Sequence, residues 1–350
     1  MYDVFIVGLG PAGSALGRLL SSSLSVGAVD RKKAEGGFQK PCGGLLAPDA
    51  QKALARFHLT LPKEVLADPQ IFSVRTIDLD SGLTRYYQRF YVNVHRHKFD
   101  CWMKSIIPSD VTIYDNAECL EVHREPDGFS VRIRDSHGEI QTIRTRCLVG
   151  ADGANSLVRK SFFPKKKIRS YVAVQQWFPE SHAVPFYSCV FDSKCSDCYS
   201  WSISKDGYFI FGGAYPARDC RKRFEEQKAA LSQYGFQFGT PLKTEACQVL
   251  RPRFPTDFCC GGNGVFLIGE AAGFVSPSSL EGISSGINSA IALSQVLNSG
   301  CSNPHLAYWK KTRKIRMKLS AKLLKCPALF HPLLRKLVMK SNIQSIQPLK

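Results

Sequence analysis

The sequence is 350 residues long, 44% hydrophobic and 22% charged, with a formal net charge of +18. That balance excludes a disordered polar chain and a disulfide-framed miniprotein, and the length allows two or three domains around a sizeable core. No run of about 18 apolar residues occurs, so a transmembrane helix is not expected, and the opening "YDVFIVGLGPAG" reads as a strand and a turn rather than a cleaved leader.

In chain order, "DVFIVG" is a short apolar strand, "PAGSALGRLLSS" a helix rich in small residues and "SVGAVD" a second strand, which together make a βαβ opening. Gly8-Leu9-Gly10-Pro11-Ala12-Gly13 spans the strand–helix junction. Gly8 makes the tight turn, Gly10 lets backbone approach a pyrophosphate, and Gly13 lets helix and strand pack closely. The helix N-terminus, with Pro11 and Ala12 in its first turn, offers free N–H groups to phosphates. Asp30 closes the second strand, where a carboxylate accepts hydrogen bonds from a ribose diol. These residues predict a dinucleotide and do not by themselves separate NAD from FAD.

Next comes "FQKPCGGLLAPDA" (38–50), with Pro41, Cys42, Gly43 and Gly44 just past the nucleotide-type unit. A plain turn needs one glycine, whereas backbone passing beside something flat needs two. Residues 71–77 and 84–92 read as strands. Residues 96–107 read as a helix that begins at Arg96 and sets Phe99, Met103 and Ile106 or Ile107 on one face. His95 and His97, which flank Arg96, read as structural or exposed. "VTIYDNAECLEVHRE", "FSVRIRD" and "IQTIRTRCLVGADG" form a strand meander that ends in Gly150-Ala151-Asp152-Gly153, with Ser156 and Arg159 beyond.

Residues 171–213 are strand-rich and aromatic. Tyr199 and Trp201 lie two apart on one strand and share a face, either as the wall of an apolar pocket or as sheet core. Residues 221–235 read as a helix. "FLIGEAAGFVSPSSLEGI" (266–283) is a strand running into Gly269-Glu270-Ala271-Ala272-Gly273, and then into Glu281, Gly282 and Ile283. "GISSGINSAIALSQVL" and "LAYWKKTRKIRMKLSAKLLK" read as two helices. The thirteen cysteines include a Cys195/Cys198 pair and adjacent Cys259 and Cys260. No second, similarly spaced pair completes a zinc set, so metal is not expected, and most of these thiols read as reduced, buried small apolar residues.

The expected fold is α/β. Nucleotide-type segments 1–46, 93–170 and 256–300 form one discontinuous domain, segments 47–92 and 171–255 form a mixed β-sheet substrate domain, and 301–350 is a basic helical region. The GxGxxG, GADG and GEAAG stretches, in this order, resemble the FAD-dependent monooxygenase and reductase superfamily with the p-hydroxybenzoate-hydroxylase-like fold. That resemblance implies a Rossmann-like domain of the glutathione reductase type and FAD as the cofactor. It sets Asp152 and Gly153 near the pyrophosphate. Glu270, where Asp is usual, would reach the ribityl or ribose region, with Gly269, Gly273, Gly282 and Ile283 beside it. Arg96 matches a family arginine that contacts the flavin nucleotide.

Pro41-Cys42-Gly43-Gly44 is typical of the geranylgeranyl reductase branch. Of that branch's Y-x-W-x-F-P element, Tyr199 and Trp201 are present and the Phe-Pro half is not. Over the whole chain the sequence looks closest to the bacterial CbrA-type flavoproteins. The branch implies hydride delivery from reduced flavin to the double bonds of an isoprenoid or other apolar, lipid-like substrate, with NADPH or another reductant as electron donor. Cys42 would be the catalytic proton donor or a space-filling thiol, Gly43 and Gly44 would turn beside the flavin, and Tyr199 and Trp201 would line the substrate pocket. Two other readings share the nucleotide motifs: a flavin monooxygenase that hydroxylates a small organic substrate, and a low-turnover, membrane-associated flavin-binding protein.

Residues 301–350 hold twelve Lys and Arg and no acid, and Glu281 is the last acidic residue of the sequence. In 309–325, Ile315, Leu319, Leu323 and Leu324 form one helical stripe opposite a basic face. Such a helix suits an anionic membrane surface, reached through residues 309–340, or packs with its basic face in solvent. Nucleic acid is not an expected partner, because no reading motif accompanies the basic run. The expected location is the cytoplasm, peripheral at the inner face of the membrane.

Overall fold

The computed structural model describes residues 1–32, 39–184 and 186–348. The strand Tyr2–Val7 is central to the first sheet, parallel to Val26–Asp30 on one side and to Ile140–Gly150 on the other. Thr112–Asp115 extends the parallel set beyond Val26–Asp30, and Val265–Leu267 extends it beyond Ile140–Gly150. Side chains alternate across a strand, and Tyr2–Val7, Val26–Asp30, Val265–Leu267 and the last residues of Ile140–Gly150 are buried on both faces, so the middle of the sheet is covered on both. Val4, Ile6, Ala28 and Val149 point into a core shared with the helices Pro11–Leu19, Arg96–Ser105 and Ile283–Leu297. Phe5, Val7, Val29 and Leu148 point the other way, into a core closed by the antiparallel strands Glu118–Glu125 and Gly128–Arg134.

The second sheet runs, edge to edge, through Lys243–Leu250, Ser170–Pro179, Tyr208–Tyr215, Tyr199–Lys205, Ser188–Phe191, Ser73–Asp78, Leu83–Gln88 and Ser345–Ile346. All its pairs are antiparallel except Ser188–Phe191 with Ser73–Asp78. One face is sealed by phenylalanines, Phe178, Phe209 and Phe211 of the sheet against Phe224 of the helix Cys220–Leu231 and Phe236. The other face carries Tyr199 and Trp201 toward the first sheet. Gly212 stands opposite Trp201 in register, and a Cβ there would come 2.8 Å from the indole, so the missing side chain makes room for the ring. A two-stranded ribbon, Leu45–Leu46 with Val92–Asn93, joins the two halves.

Several elements depart from the sequence reading. The expected strand 84–92 divides into Leu83–Gln88 and Val92–Asn93. Within 47–92, the helix Pro48–Ala55 packs on Ile283–Leu297, while Ser73–Asp78 and Leu83–Gln88 belong to the second sheet. The single helix expected over 306–325 is two, Pro304–Lys311 and Arg313–Phe330, broken at Thr312, whose hydroxyl turns back onto the Tyr308 carbonyl. A third helix, Pro332–Lys340, follows. Of the stripe expected over 309–325, Leu319 is buried while Leu324 is exposed. Ten of the thirteen thiols are half-buried, with only Cys195, Cys198 and Cys259 fully inside, and Cys195 and Cys198 enter two different apolar clusters. Phe38 of the glycine-pair stretch and Pro185 of the aromatic strands lie outside the described residues. Among the described residues, no helix is long and apolar enough to cross a membrane.

Candidate functional site

The three glycine-bearing turns, far apart in sequence, meet because each ends or follows one of the adjacent parallel strands. Gly8 takes a left-handed φ of +95°, donates its N–H to the Val29 carbonyl at 2.8 Å, and packs on the Ala151 backbone. A Cβ on Gly13 would overlap the Gly8 carbonyl oxygen, so this glycine closes the helix onto the turn. Gly269, Gly286 and Ala12 crowd together, with a Cβ on Gly269 only 3.0 Å from that of Ala12, which lets the helices Pro11–Leu19 and Ile283–Leu297 bring their N-termini to one place. Arg159, buried behind the second motif, ties it to the third. Its Nη1 donates to the Ala271 carbonyl at 2.9 Å and its Nη2 to the Ala154 carbonyl at 2.6 Å.

These turns line one cavity of about 890 Å³ between the two sheets. It is bounded by Gly8, Gly10, Pro11, Ala12 and Asp30, by Asp152 and Gly153, and by Gly269, Glu270, Gly282 and Ile283. Arg96, Cys42, Gly43, Gly44, Tyr199 and Trp201 also line it. Gly13 and Gly273, both in the nucleotide-type motifs, do not line the cavity. Gly13 serves packing, and Gly273 caps the short turn Gly269–Ala272 beside Ile168 and Asp257.

The polar lining has unused capacity. A Cβ placed on Gly10 would meet no atom within 4 Å, so bare backbone faces open space at the start of the helix. Asp30 Oδ1 accepts the Leu9 N–H at 3.3 Å, while its buried Oδ2 makes no hydrogen bond among the described residues and has Lys104 Nζ 3.7 Å away. Asp152 is alike: Oδ2 accepts from the Leu157 and Val158 N–H groups at 2.7 and 3.3 Å, and buried Oδ1 has no hydrogen-bond partner among the described residues. Burial pushes the Asp152 carboxyl upward, against the hydrogen bonds it receives. Buried acceptors without donors are rare, and a ligand with hydroxyl or amide donors would satisfy both. The cradle at Gly10, the two convergent helix N-termini and these acceptors fit FAD, whose phosphates sit at a helix N-terminus and whose ribose hydroxyls are donors.

Glu270 lines the cavity and is also anchored on its protein side. Its Oε2 pairs with Lys40, and its Oε1 accepts the Leu250 N–H at 2.9 Å. Burial opposes the charge on Lys40, but the Glu270 carboxylate outweighs it and the Lys40 pKa is raised. Lys40 stands directly before Pro41-Cys42-Gly43-Gly44, yet a lysine in a loop has no pattern that marks it as an ion-pair partner 230 residues away.

The paired glycines have separate reasons. Gly44 has a left-handed φ of +63°, and a Cβ there would collide with the Val94 carbonyl and the Lys205 ammonium. A Cβ on Gly43 would lie 3.4 Å from the Trp201 indole. Cys42 sits at this bend with its sulfur accepting the Gly44 N–H at 3.4 Å and the Arg96 guanidinium beside it. Arg96 is anchored to buried Asp100 at 2.8 Å, and Asp100 also holds Lys32 at 3.0 Å. Burial opposes ionisation of Asp100, yet the two cations hold its pKa below the ordinary value. Lys205 is buried under the loop, bonded to the Val94 carbonyl, and burial pushes it down to about 8. His95 pairs with Asp206 and belongs to the scaffold.

Beyond Cys42 the cavity becomes aromatic. Tyr199 and Trp201 stand 6.3 Å apart between ring centroids, and the Tyr199 hydroxyl donates to the Ser279 carbonyl at 2.6 Å. Tyr187 and Tyr91, centroids 6.0 Å apart, complete the chamber with Ile203. Neither tyrosine had a signal in the sequence, because each lies in a strand-like stretch that reads equally as core.

Fold and site together define an FAD-binding flavoprotein with the architecture of flavin-dependent oxidoreductases. The FAD binding domain family matches residues 103–230. The chain belongs to the CbrA family: it is 54% identical over 351 residues to Protein CbrA of Shigella sonnei, covering 100% of this chain and 99% of that protein. Among solved structures it resembles a geranylgeranyl bacteriochlorophyll reductase-like protein of Thermoplasma acidophilum, with a TM-score of 0.73 and 18% identity over 97% of this chain and 98% of that one. It also resembles PqsL, a probable FAD-dependent monooxygenase of Pseudomonas aeruginosa, with a TM-score of 0.70 and 18% identity over 97% and 98%.

Proposed function

We propose that the protein reduces double bonds of an isoprenoid or similarly apolar, lipid-like substrate, with reduced FAD as hydride source and NADPH or another reductant restoring it. The observation that carries this reading is the position of Cys42, at the seam between the polar nucleotide half of the cavity and its aromatic chamber. FAD, when bound and reduced, supplies the hydride. The chain's residues do the rest. Gly10 and the two helix N-termini take the phosphates, Asp30 takes the ribose hydroxyls, and Tyr187, Tyr199 and Trp201 hold an apolar chain and exclude water. Saturating a double bond adds one hydride and one proton. The Cys42 thiol donates the proton, and Arg96 stands where it neutralises the sulfur left behind.

The likeness to PqsL favours a second reading, hydroxylation of a small organic substrate at the same cavity. One experiment separates them. The purified protein is reduced anaerobically with NADPH, NADH or a one-electron donor in the presence of prenyl lipids, and the products are read by mass spectrometry. A saturated prenyl chain supports the reductase, and its loss in Cys42→Ala with flavin reduction intact assigns the proton donor. Turnover only on admitting oxygen, with a hydroxylated product, overturns the reductase reading.

A further inference from the structure

The helix Pro332–Lys340 is inverted relative to an ordinary packed helix. Its inward residues are Arg335 and Met339, each 3% exposed, while Leu333 is 67% and Leu337 64% exposed, with Leu334 and Val338 beside them. Positions 333, 334, 337 and 338 fall on one side of a helix, and Lys336 and Lys340, both exposed, flank that stripe at three- and four-residue spacing. The preceding helix Arg313–Phe330 adds exposed Leu324 and Met317 among Lys314, Lys318 and Lys325.

This orientation is held from beneath. Arg335 Nη2 donates to Asp78 Oδ1 at 2.8 Å and also reaches Asp80. Arg85 Nε donates to the Met339 carbonyl at 3.0 Å, and Arg251 lies 4.4 Å over the Phe330 ring. The leucines cannot turn inward without breaking a buried ion pair. The platform also borders the cavity: Lys322 and Asp49 line it, and Lys318 pairs with Asp49 at 2.6 Å.

We propose that this face docks on an anionic lipid bilayer, with the four apolar side chains in the acyl boundary and the lysines among the headgroups. The charge argues for it, since no acidic residue follows Glu281. A second copy would bring the same cationic rim against itself. A protein partner would be expected to engage aromatic or arginine anchors, whereas leucine and valine are under-represented among interface hot spots. An interfacial helix of leucines edged by lysines is what a bilayer takes up. The docking is independent of whether the cavity reduces or hydroxylates, and it sets the cavity rim beside the lipid.

The test is flotation of the flavin-loaded, full-length protein with vesicles of phosphatidylglycerol and phosphatidylcholine, and with phosphatidylcholine alone. Wild type floats with the anionic vesicles only. Leu333→Ser/Leu337→Ser and, separately, Lys336→Glu/Lys340→Glu weaken partition by roughly tenfold or more. Both variants keep the wild-type melting temperature and flavin spectrum, because every substituted side chain is exposed. No flotation, equal flotation on neutral vesicles, or flotation unchanged in both variants overturns the proposal. So does a concentration-dependent dimer in sedimentation that the leucine variant abolishes, since that assigns the face to a second copy.

Discussion

Gly10 and Gly13 lie three residues apart and answer to different constraints. Gly10 has open space where a side chain would go, and Gly13 has a carbonyl oxygen there. Gly10→Ala is therefore expected to melt like wild type while retaining FAD on the order of tenfold less tightly, read by fluorescence of released flavin. Gly13→Ala is expected to lose about 3 kcal/mol of stability in a denaturant melt, because backbone must shift to admit the methyl group. Lys205 gives a pH-dependent counterpart. Burial lowers its pKa from 10.5 to about 8, so as pH falls the unfolded chain binds the proton first. The resulting penalty is complete below pH 8 and fades as pH rises toward the unfolded value, a span worth about 3 kcal/mol. Wild type should thus gain stability relative to Lys205→Met between pH 8 and 10, measured by paired thermal melts. The glycine spacing was legible in the sequence. Lys205 was not, because a lysine that ends a strand reads as solvent-exposed until another loop is laid over it.

At the scale of elements, the loop bearing Lys40 and Cys42 and the turn bearing Glu270 are pinned to each other across the cavity wall. Removing one partner leaves a largely buried charge without its counterion. Lys40→Met and Glu270→Gln should each destabilise the fold, while the double variant should lose less than their sum, with a coupling of about 1–3 kcal/mol in a double-mutant cycle of urea melts. Additive losses would show that the pair does not join the two segments. Element identity was readable wherever the pattern was local: the βαβ opening, the helix at Arg96 and the helix after Gly282 all appear where apolar period and glycine turns placed them. The break at Thr312 was not, because a hydroxyl capping the Tyr308 carbonyl leaves no mark in an apolar period that continues through it. The division of 84–92 likewise follows from pairing, since its two parts join different strands, Ser73–Asp78 and Leu45–Leu46.

At the scale of the whole molecule, the C-terminal segment straps the two sheets together. Leu319 packs with Phe5, Val7 and Leu148 in the core on one face of the first sheet, Arg335 is bound to fully buried Asp78, and Ser345–Ile346 adds an edge to the second sheet. Arg335→Ala leaves Asp78 charged and unpaired, and should loosen this strap by about 3–5 kcal/mol. Hydrogen exchange should then rise across residues 332–348 while Tyr2–Val7 stays protected; protection unchanged in both would rule the strap out. By itself the sequence determined the nucleotide turns, the apolar runs of the first parallel strands and the excess of positive charge in the last fifty residues, because each is written in residues adjacent or closely spaced along the chain. Only the tertiary structure decided that Glu270 spends its carboxylate on Lys40, that Tyr91 and Tyr187 close a chamber with Trp201, and that Leu333 and Leu337 face outward while Arg335 turns in. Those outcomes depend on which surfaces meet after folding, and burial in a shared interior can pair residues whose separation along the chain carries no signal.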